Sequence, residues 1–154
     1  LLKYLPKDKT IWCPFDEEWS AFYQMFKENG YKVTRSSLIE GQDFFTYEPE
    51  EWDLVVSNPP FSLKDQVLKR LDELGKPFAV LLPLNSIQGD RRYRYCFKNG
   101  IEVLAFNKRI EYHTNFNFDT YAKGNHFASG YFCRGILPEK LIIEDLKRYE
   151  RPLI

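Results

Sequence analysis

Three stretches of the chain are almost unbroken in apolar residues, and each ends at a turn-former: "TIWC" at Pro14, "WDLVVS" at Asn58 and "PFAVLLP" at Pro83. Runs this short and this apolar predict strands, the second and third of the kind buried on both faces. "YKVTRS" alternates like a strand, "IEVLAF" and "FASGYFC" read as two more, and "EGQDFFTYEPEE" as a short strand end with a loop. Between them the period changes to that of a helix. "DEEWSAFYQMFKENG" spaces Trp19, Phe22, Tyr23 and Phe26 helically behind an Asp16 cap and closes at Asn29-Gly30, and the aromatics Trp19, Phe22 and Phe26 are read as core. "LKDQVLKRLDELG" gathers Val67, Leu68, Leu71 and Leu74 on one face with Gly75 as its stop, "NSIQGDRRYRYCFKNG" is a polar, basic, helical connection, and "PEKLIIEDLKRYE" predicts a terminal helix. Residues 107–126 are polar, aromatic and without period. Strands and helices that alternate this way predict an α/β fold: a mostly parallel sheet with helices on both faces, binding ligands beyond the carboxyl ends of its strands.

The length of 154 residues and 44% hydrophobic content suit one domain, residues 1–154, with no linker or repeat. Twenty-two basic residues balance 22 acidic ones, so a nucleic-acid partner has to be held by a local patch and not by the field of the whole protein. Cys13, Cys96 and Cys133 are odd in number and form no C-x-x-C pair, which argues against a disulfide framework and a zinc site and for a reducing cytoplasm. No apolar run approaches the roughly 20 residues of a membrane helix. The chain opens on Leu1 and not on a methionine.

The candidate chemistry lies where "DLVVSNPPF" breaks its strand. The first proline removes a ladder donor and both fix φ, so the strand stops at once and leaves a stiff loop. The Asn58 amide oxygen and an outward carbonyl from Pro59 make two acceptors suited to an exocyclic NH2, and Phe61 offers a flat surface on which a planar base can stack.

Strand-Asn-Pro-Pro-Phe resembles the catalytic loop of class I S-adenosylmethionine-dependent methyltransferases, in particular the adenine-N6 enzymes. The likeness extends over most of the chain: "CPFD" falls at the family's first-strand cofactor loop, "GQDFFTYEPEEWDLVVSNPPF" is similar to its acidic loop followed by its catalytic loop, and "PFAVLLPLNSI" to its next strand. The resemblance implies a Rossmann-like methyltransferase sheet with S-adenosylmethionine as cofactor and no metal. Asp43 and Phe44 then contact the cofactor adenine, Pro14, Phe15, Asp16 and Ser57 border its site, Asn58 and the Pro59 carbonyl hold the target amine, Pro60 stiffens the loop, and Phe61 stacks on the target base. In a duplex the base has to be flipped out, at a cost of a few kcal/mol.

Three features depart from that pattern. The first-strand turn has no glycine, since none lies between Leu1 and Asn29, and Asp16, Glu17 and Glu18 stand where a cofactor carboxylate is expected. "VTRSSL" lacks the acid that usually takes the ribose, although Glu40 lies just beyond, and the segment before Asp43 is too short for the usual helix. The reading is a trimmed fold, similar to short phage-type and prophage-type proteins, with a weak, altered or absent cofactor site. It leaves no room for a target-recognition domain, so specificity is expected to be low or supplied by a protein partner.

Arg91, Arg92, Arg94 and Lys98, interleaved with Tyr93 and Tyr95, form a basic-aromatic cluster on a connection expected near Asn58, and Lys108 and Arg109 extend it. Such cations suit the phosphates of a nucleic acid, DNA ahead of RNA; a solvated helix face with buried tyrosines is the plainer alternative. His113 and His126 have no partner at metal-ligand spacing and read as surface or hydrogen-bonding residues. Two other functions fit the same residues: methylation of another planar amine or amide, such as protein glutamine or RNA guanine, and a module that keeps the fold and binds nucleic acid or protein without catalysis.

Overall fold

The computed structural model describes residues 1–110, 128–150 and 152. His113 and His126 lie outside the described residues. Seven strands form one sheet in the order β2-β1-β3-β4-β6-β5-β7. They are β1 (Thr10–Pro14), β2 (Lys32–Ser36), β3 (Leu54–Ser57), β4 (Phe78–Pro83), β5 (Glu102–Phe106), β6 (Ser129–Arg134) and β7 (Leu141–Glu144). Only β6 runs against the others: it pairs antiparallel with β4 and β5, whereas β1–β2, β1–β3, β3–β4 and β5–β7 are parallel.

The helices α1 (Ala21–Glu28), α2 (Lys64–Leu74) and α3 (Asp90–Tyr95) divide between the two faces. Successive strand residues point to opposite faces, and the core splits accordingly. Trp12, Val55, Phe78, Val80 and Phe132 pack with Val67, Leu68 and Leu71 of α2 and with Cys96 and Phe97 beyond α3. Ile11, Cys13, Leu54, Val56, Ala79 and Cys133 pack with Phe26 of α1. Strands β3 and β4 are buried along their whole length, as their unbroken apolar sequence predicts. This is a Rossmann-like α/β fold, and its chain leaves β1 toward β2 in one direction and β3 toward β4 in the other. The switch point lies between β1 and β3.

Four sequence expectations are corrected. Residues 138–150 contain no helix: Leu141–Glu144 is the edge strand β7, in register with Val103–Phe106 of β5. Its β-branched Ile142 and Ile143 suit a strand, and the open edge of β5 supplies the hydrogen-bond partners that an isolated helix end lacks. The segment "EGQDFFTYEPEE" carries no strand; a one-turn 3-10 helix (Leu38–Glu40) leads into a turn in which Asp43 O accepts Thr46 N–H and Tyr47 N–H. Helix α1 begins at Ala21 with Ser20, not Asp16, as N-cap. Trp19, which precedes the first helical turn, is therefore out of phase with Phe22 and Phe26 and is 46% exposed.

All three cysteines are buried free thiols, and burial raises the pKa of each, that of Cys96 to about 11. Thiols so protonated are poor nucleophiles and ligands. Among the described residues no helix is long and apolar enough to cross a membrane, and no group of three His, Cys, Asp or Glu is arranged to hold a metal ion.

Candidate active site

The parallel strands β1, β2 and β3 end side by side, and the loops that leave them enclose a cavity of about 300 Å3. That is the lower end of the range of roughly 300–1,000 Å3 for small-molecule sites. Phe15 and Glu17 enter from β1, Ser37, Leu38, Ile39 and Gln42 from β2, Asp43, Phe44 and Phe45 from the acidic loop, and Pro60 and Leu63 from beyond β3. Two strand ends are tied directly, since the buried Ser57 Oγ donates to the Pro14 carbonyl at 3.2 Å.

The turn after β1 does without glycine in an unexpected way. Phe15 itself holds φ at +69°, the left-handed region. An aromatic residue there carries a backbone cost of about 1–2 kcal/mol, and surroundings that fix the residue have to offset it. Its ring packs on Phe44 at 5.1 Å between centroids, and Phe44 in turn packs on Trp12 at 5.4 Å. Trp12 Nε1–H donates to Ser36 Oγ at 2.9 Å. A connected aromatic stack thus supports the cavity wall from beneath.

Asp16 is buried beside this turn. Burial raises its carboxyl pKa to about 8, opposed by the backbone N–H of Tyr23 and the charge of Arg35, and assisted by Glu17. Its Oδ2 makes no hydrogen bond among the described residues. Tyr23 is in the first turn of α1, so Asp16 serves the helix end through that amide although Ser20 is the N-cap. A carboxyl largely protonated near neutral pH also repels an anion much less than the sequence suggests. Glu18 is drawn off to Arg35 and Lys27, leaving Glu17 in the cavity wall. Glu40 pairs with Arg35 at 3.0 Å and does not line the cavity.

Asp43 and Phe44 are set by the turn and by α2. Asp43 Oδ1 accepts the Phe45 N–H at 3.0 Å, and Arg70 of α2 donates Nε–H to the Phe44 carbonyl at 3.2 Å. Asp43 stays half-buried in the cavity wall, whereas Phe44, 2% exposed, is shared between wall and core. In the loop after β3 Asn58 is exposed, Pro59 buried, Pro60 exposed and in the cavity wall, and Phe61 half-buried at the start of a one-turn 3-10 helix (Phe61–Leu63) that feeds α2. The Asn58 amide makes no hydrogen bond among the described residues. Pro14 ends β1 and is buried.

The basic cluster separates into two kinds of residue. Arg92 is internal: Nε–H donates to Ser86 O at 2.7 Å, Nη1 to Asp65 Oδ1 at 2.8 Å and Nη2 to Gln88 O at 2.6 Å. It fastens α3 to α2 and to the loop after β4 through three of its five N–H groups. Arg91, Arg94 and Lys98 are exposed, with Arg94 paired to Asp90. Tyr93 and Tyr95 are 58% and 38% exposed, so the tyrosines are not buried, and the Lys69 ammonium lies over the Tyr95 ring. Lys108 and Arg109, beyond β5, are exposed. Ser37, Leu38, Ile39, Gln42 and Leu63 are cavity residues that the sequence did not single out; nothing in their types marks them, because they meet only when β2 and β3 end on either side of β1.

A stretch of the chain is similar to a methyltransferase. It is 36% identical over 75 residues to Type II methyltransferase M.EcoRI of Escherichia coli, a match that covers 43% of this chain and 23% of that enzyme. The chain thus spans less than a quarter of that relative's length. No family model matches.

Proposed function

We propose that the protein is an S-adenosylmethionine-dependent adenine-N6 methyltransferase acting on nucleic acid, with DNA as the favoured substrate. The observation that carries this reading is the adjacency of the Asn58–Phe61 loop to a 300 Å3 cavity at the sheet's switch point. The similarity to M.EcoRI supports it.

The cavity residues suit the cofactor. Phe15 and Phe44 offer aromatic surface for an adenine, and Asp43 and Glu17 offer carboxylates to the ammonium and sulfonium groups, whereas the cofactor carboxylate meets no basic residue among those that line the wall. When bound, the cofactor supplies an electrophilic methyl group. The protein's part is positioning: the Asn58 amide oxygen and the Pro59 carbonyl accept the two amine hydrogens, which favours a pyramidal, more nucleophilic nitrogen. Phe61 stacks on the flipped base and offsets part of the unpairing cost. Exposed Arg91, Arg94, Lys98, Lys108 and Arg109 hold phosphates, while a protein partner supplies target recognition.

The test is transfer of labelled methyl to adenine-containing DNA and RNA, with free glutamine peptides and guanine RNA as competitors. Asn58→Ala should abolish turnover with melting unchanged, and Phe61→Ala should weaken it by at least tenfold. A second reading, a non-catalytic binding module, is favoured by the strained Phe15 where family members carry glycine. It requires wild type and Asn58→Ala to bind nucleic acid equally and to transfer no methyl.

A further inference from the structure

The two edges of the sheet are built differently. At one edge β2 carries Lys32 and Arg35, with Arg35 tied to Glu18 and Glu40, so charge blunts that strand against further pairing. At the other edge β7 pairs, among the described residues, with β5 alone, and between Lys140 and Glu144 it reads Leu141-Ile142-Ile143, without a charge or a proline and in unbroken register. Leu141 and Ile143 are 59% and 67% exposed on the face that holds Val103 and Ala105, while Ile142 packs into the opposite core layer. An apolar edge of this kind is a template for another strand.

The hydrogen-bond phase of β7 selects the same residues. Val103 N–H donates to Lys140 O at 2.8 Å and Asn107 N–H to Glu144 O at 3.0 Å, so the even-numbered residues of β7 turn their main chain to β5. Leu141 and Ile143 therefore turn N–H and C=O to the open side. The two residues with exposed apolar side chains are also the two with main-chain groups to offer.

We propose that β7 is the contact between two copies of this chain, paired antiparallel across a twofold axis at Ile142. In that register Leu141 and Ile143 of one copy face Ile143 and Leu141 of the other as two hydrogen-bonded pairs, each exchanging both bonds, and Ile142 faces its own counterpart as a non-hydrogen-bonded pair. The four exposed side chains then form one apolar strip. Charge matches as well, because Lys140 of each copy stands opposite Glu144 of the other, and opposite charges so placed are favourable. Glu144 Oε1 is already held by Lys3 and Tyr4 of its own chain, which fixes the carboxylate where a second cation can join it. A shift of two residues either way sets Ile142 against Lys140 or Glu144 and loses both matches. The cavity lies at the ends of β1, β2 and β3, away from β7 in the strand order, so it stays open in the dimer, and the inference does not depend on the methyltransferase reading.

The experiment is sedimentation velocity of the full chain from about 1 to about 500 μM, a range set by the weakness of so short an interface. Wild type should pass from monomer to dimer and go no further. Ile143→Pro deletes an N–H that β5 does not use, so it should keep the melting curve and weaken dimerisation at least tenfold, and Lys140→Glu, which sets acid against acid, should weaken it severalfold. Register is read by cross-linking under oxidised glutathione, in which the buried Cys13, Cys96 and Cys133 do not compete. Ile142→Cys should link to its counterpart, since a non-hydrogen-bonded pair stands about 4.5 Å apart at Cα, within disulfide reach, whereas the counterparts in Leu141→Cys lie beyond about 7 Å and should not link. This pair of variants decides even where the proline variant fails to fold. A monomer throughout, a dimer that Ile143→Pro leaves unchanged, head-to-tail polymers, or linking by Leu141→Cys in place of Ile142→Cys overturns the proposal.

Discussion

Ser57 Oγ donates to the Pro14 carbonyl across the switch point, at 3.2 Å and with no exposure to solvent. One bond thereby joins the last residue of β3, which precedes Asn58, to the last residue of β1, which precedes Phe15. The catalytic loop and the cofactor turn of the proposed enzyme are spaced by it.

Ser57→Ala removes this bond and leaves a buried carbonyl with one partner fewer. The expected loss is about 1 kcal/mol, or roughly 2–4 °C in melting temperature for a domain of this size. Affinity for S-adenosylhomocysteine should fall with it. Calorimetric melting and titration of the same sample check both, and an unchanged value of each would mean that the strand ends are set by other contacts.

Arg92 and Arg91 are adjacent in sequence and opposite in role. Arg92→Ala should lower stability in urea unfolding by about 1–3 kcal/mol, since two carbonyls and Asp65 lose a charged partner. Arg91→Ala should stay within about 0.5 kcal/mol of wild type. In fluorescence anisotropy with DNA the pattern should reverse: Arg91→Ala reduces the salt slope by about one phosphate contact, whereas Arg92→Ala, three of whose N–H groups are engaged within the fold, changes the slope less.

Asp16 makes the fold less stable as pH rises from about 4 to about 8. Its folded-state pKa of about 8 lies above its ordinary value of 3.8, chiefly through burial. The folded state therefore holds a proton that the unfolded chain has released. The stability this contributes is complete below the unfolded value and is lost as pH rises through the folded one, with a slope of up to about 1.4 kcal/mol per pH unit in between. Cys13, Glu17 and Arg35 face the same carboxyl. Asp16→Asn keeps an acceptor for the Tyr23 amide and cannot ionise, so its melting temperature should change less than that of wild type between about pH 5 and pH 9. Parallel curves for the two proteins would remove Asp16 as the cause.

At Phe15 the usual ranking of substitutions should invert. Phe15→Gly and Phe15→Ala both delete the ring that packs on Phe44, but only glycine is at ease with φ at +69°. Glycine should therefore be the milder change in thermal unfolding, by about 1 kcal/mol. Both variants should lose cofactor-type ligand affinity, because the ring lines the cavity. An alanine variant as stable as the glycine one would show that the turn relaxes to negative φ.

The strands that carry the candidate site were legible because their burial is two-sided. "DLVVS" and "PFAVLLP" are apolar without alternation, and a chain segment of that composition has few places to go except the middle of a covered sheet. Gly75 ends α2 in the left-handed conformation, as its position after the periodic residues predicts. Edges were harder. "KLIIEDL" satisfies helical and extended patterns alike, and the open edge of β5 decided between them. The strand character of "DFFTY" is overridden, because Phe44 is buried against Trp12 and its carbonyl is claimed by Arg70, contacts made by residues far away in sequence.

By itself the sequence determined the alternation of strands and helices, the two buried central strands, and the stiff Asn-Pro-Pro-Phe break with its two acceptors, since each follows from local composition and backbone restriction. Tertiary structure alone decided which groups meet at that break. The cavity draws its wall from three strand ends that are distant in sequence, the left-handed turn falls on Phe15 because neighbouring aromatics hold it there, and Arg92 and Glu40 are held in ion pairs. Partner choice of that kind depends on which side chains arrive within about 3 Å of one another, and a linear pattern carries no distances between segments.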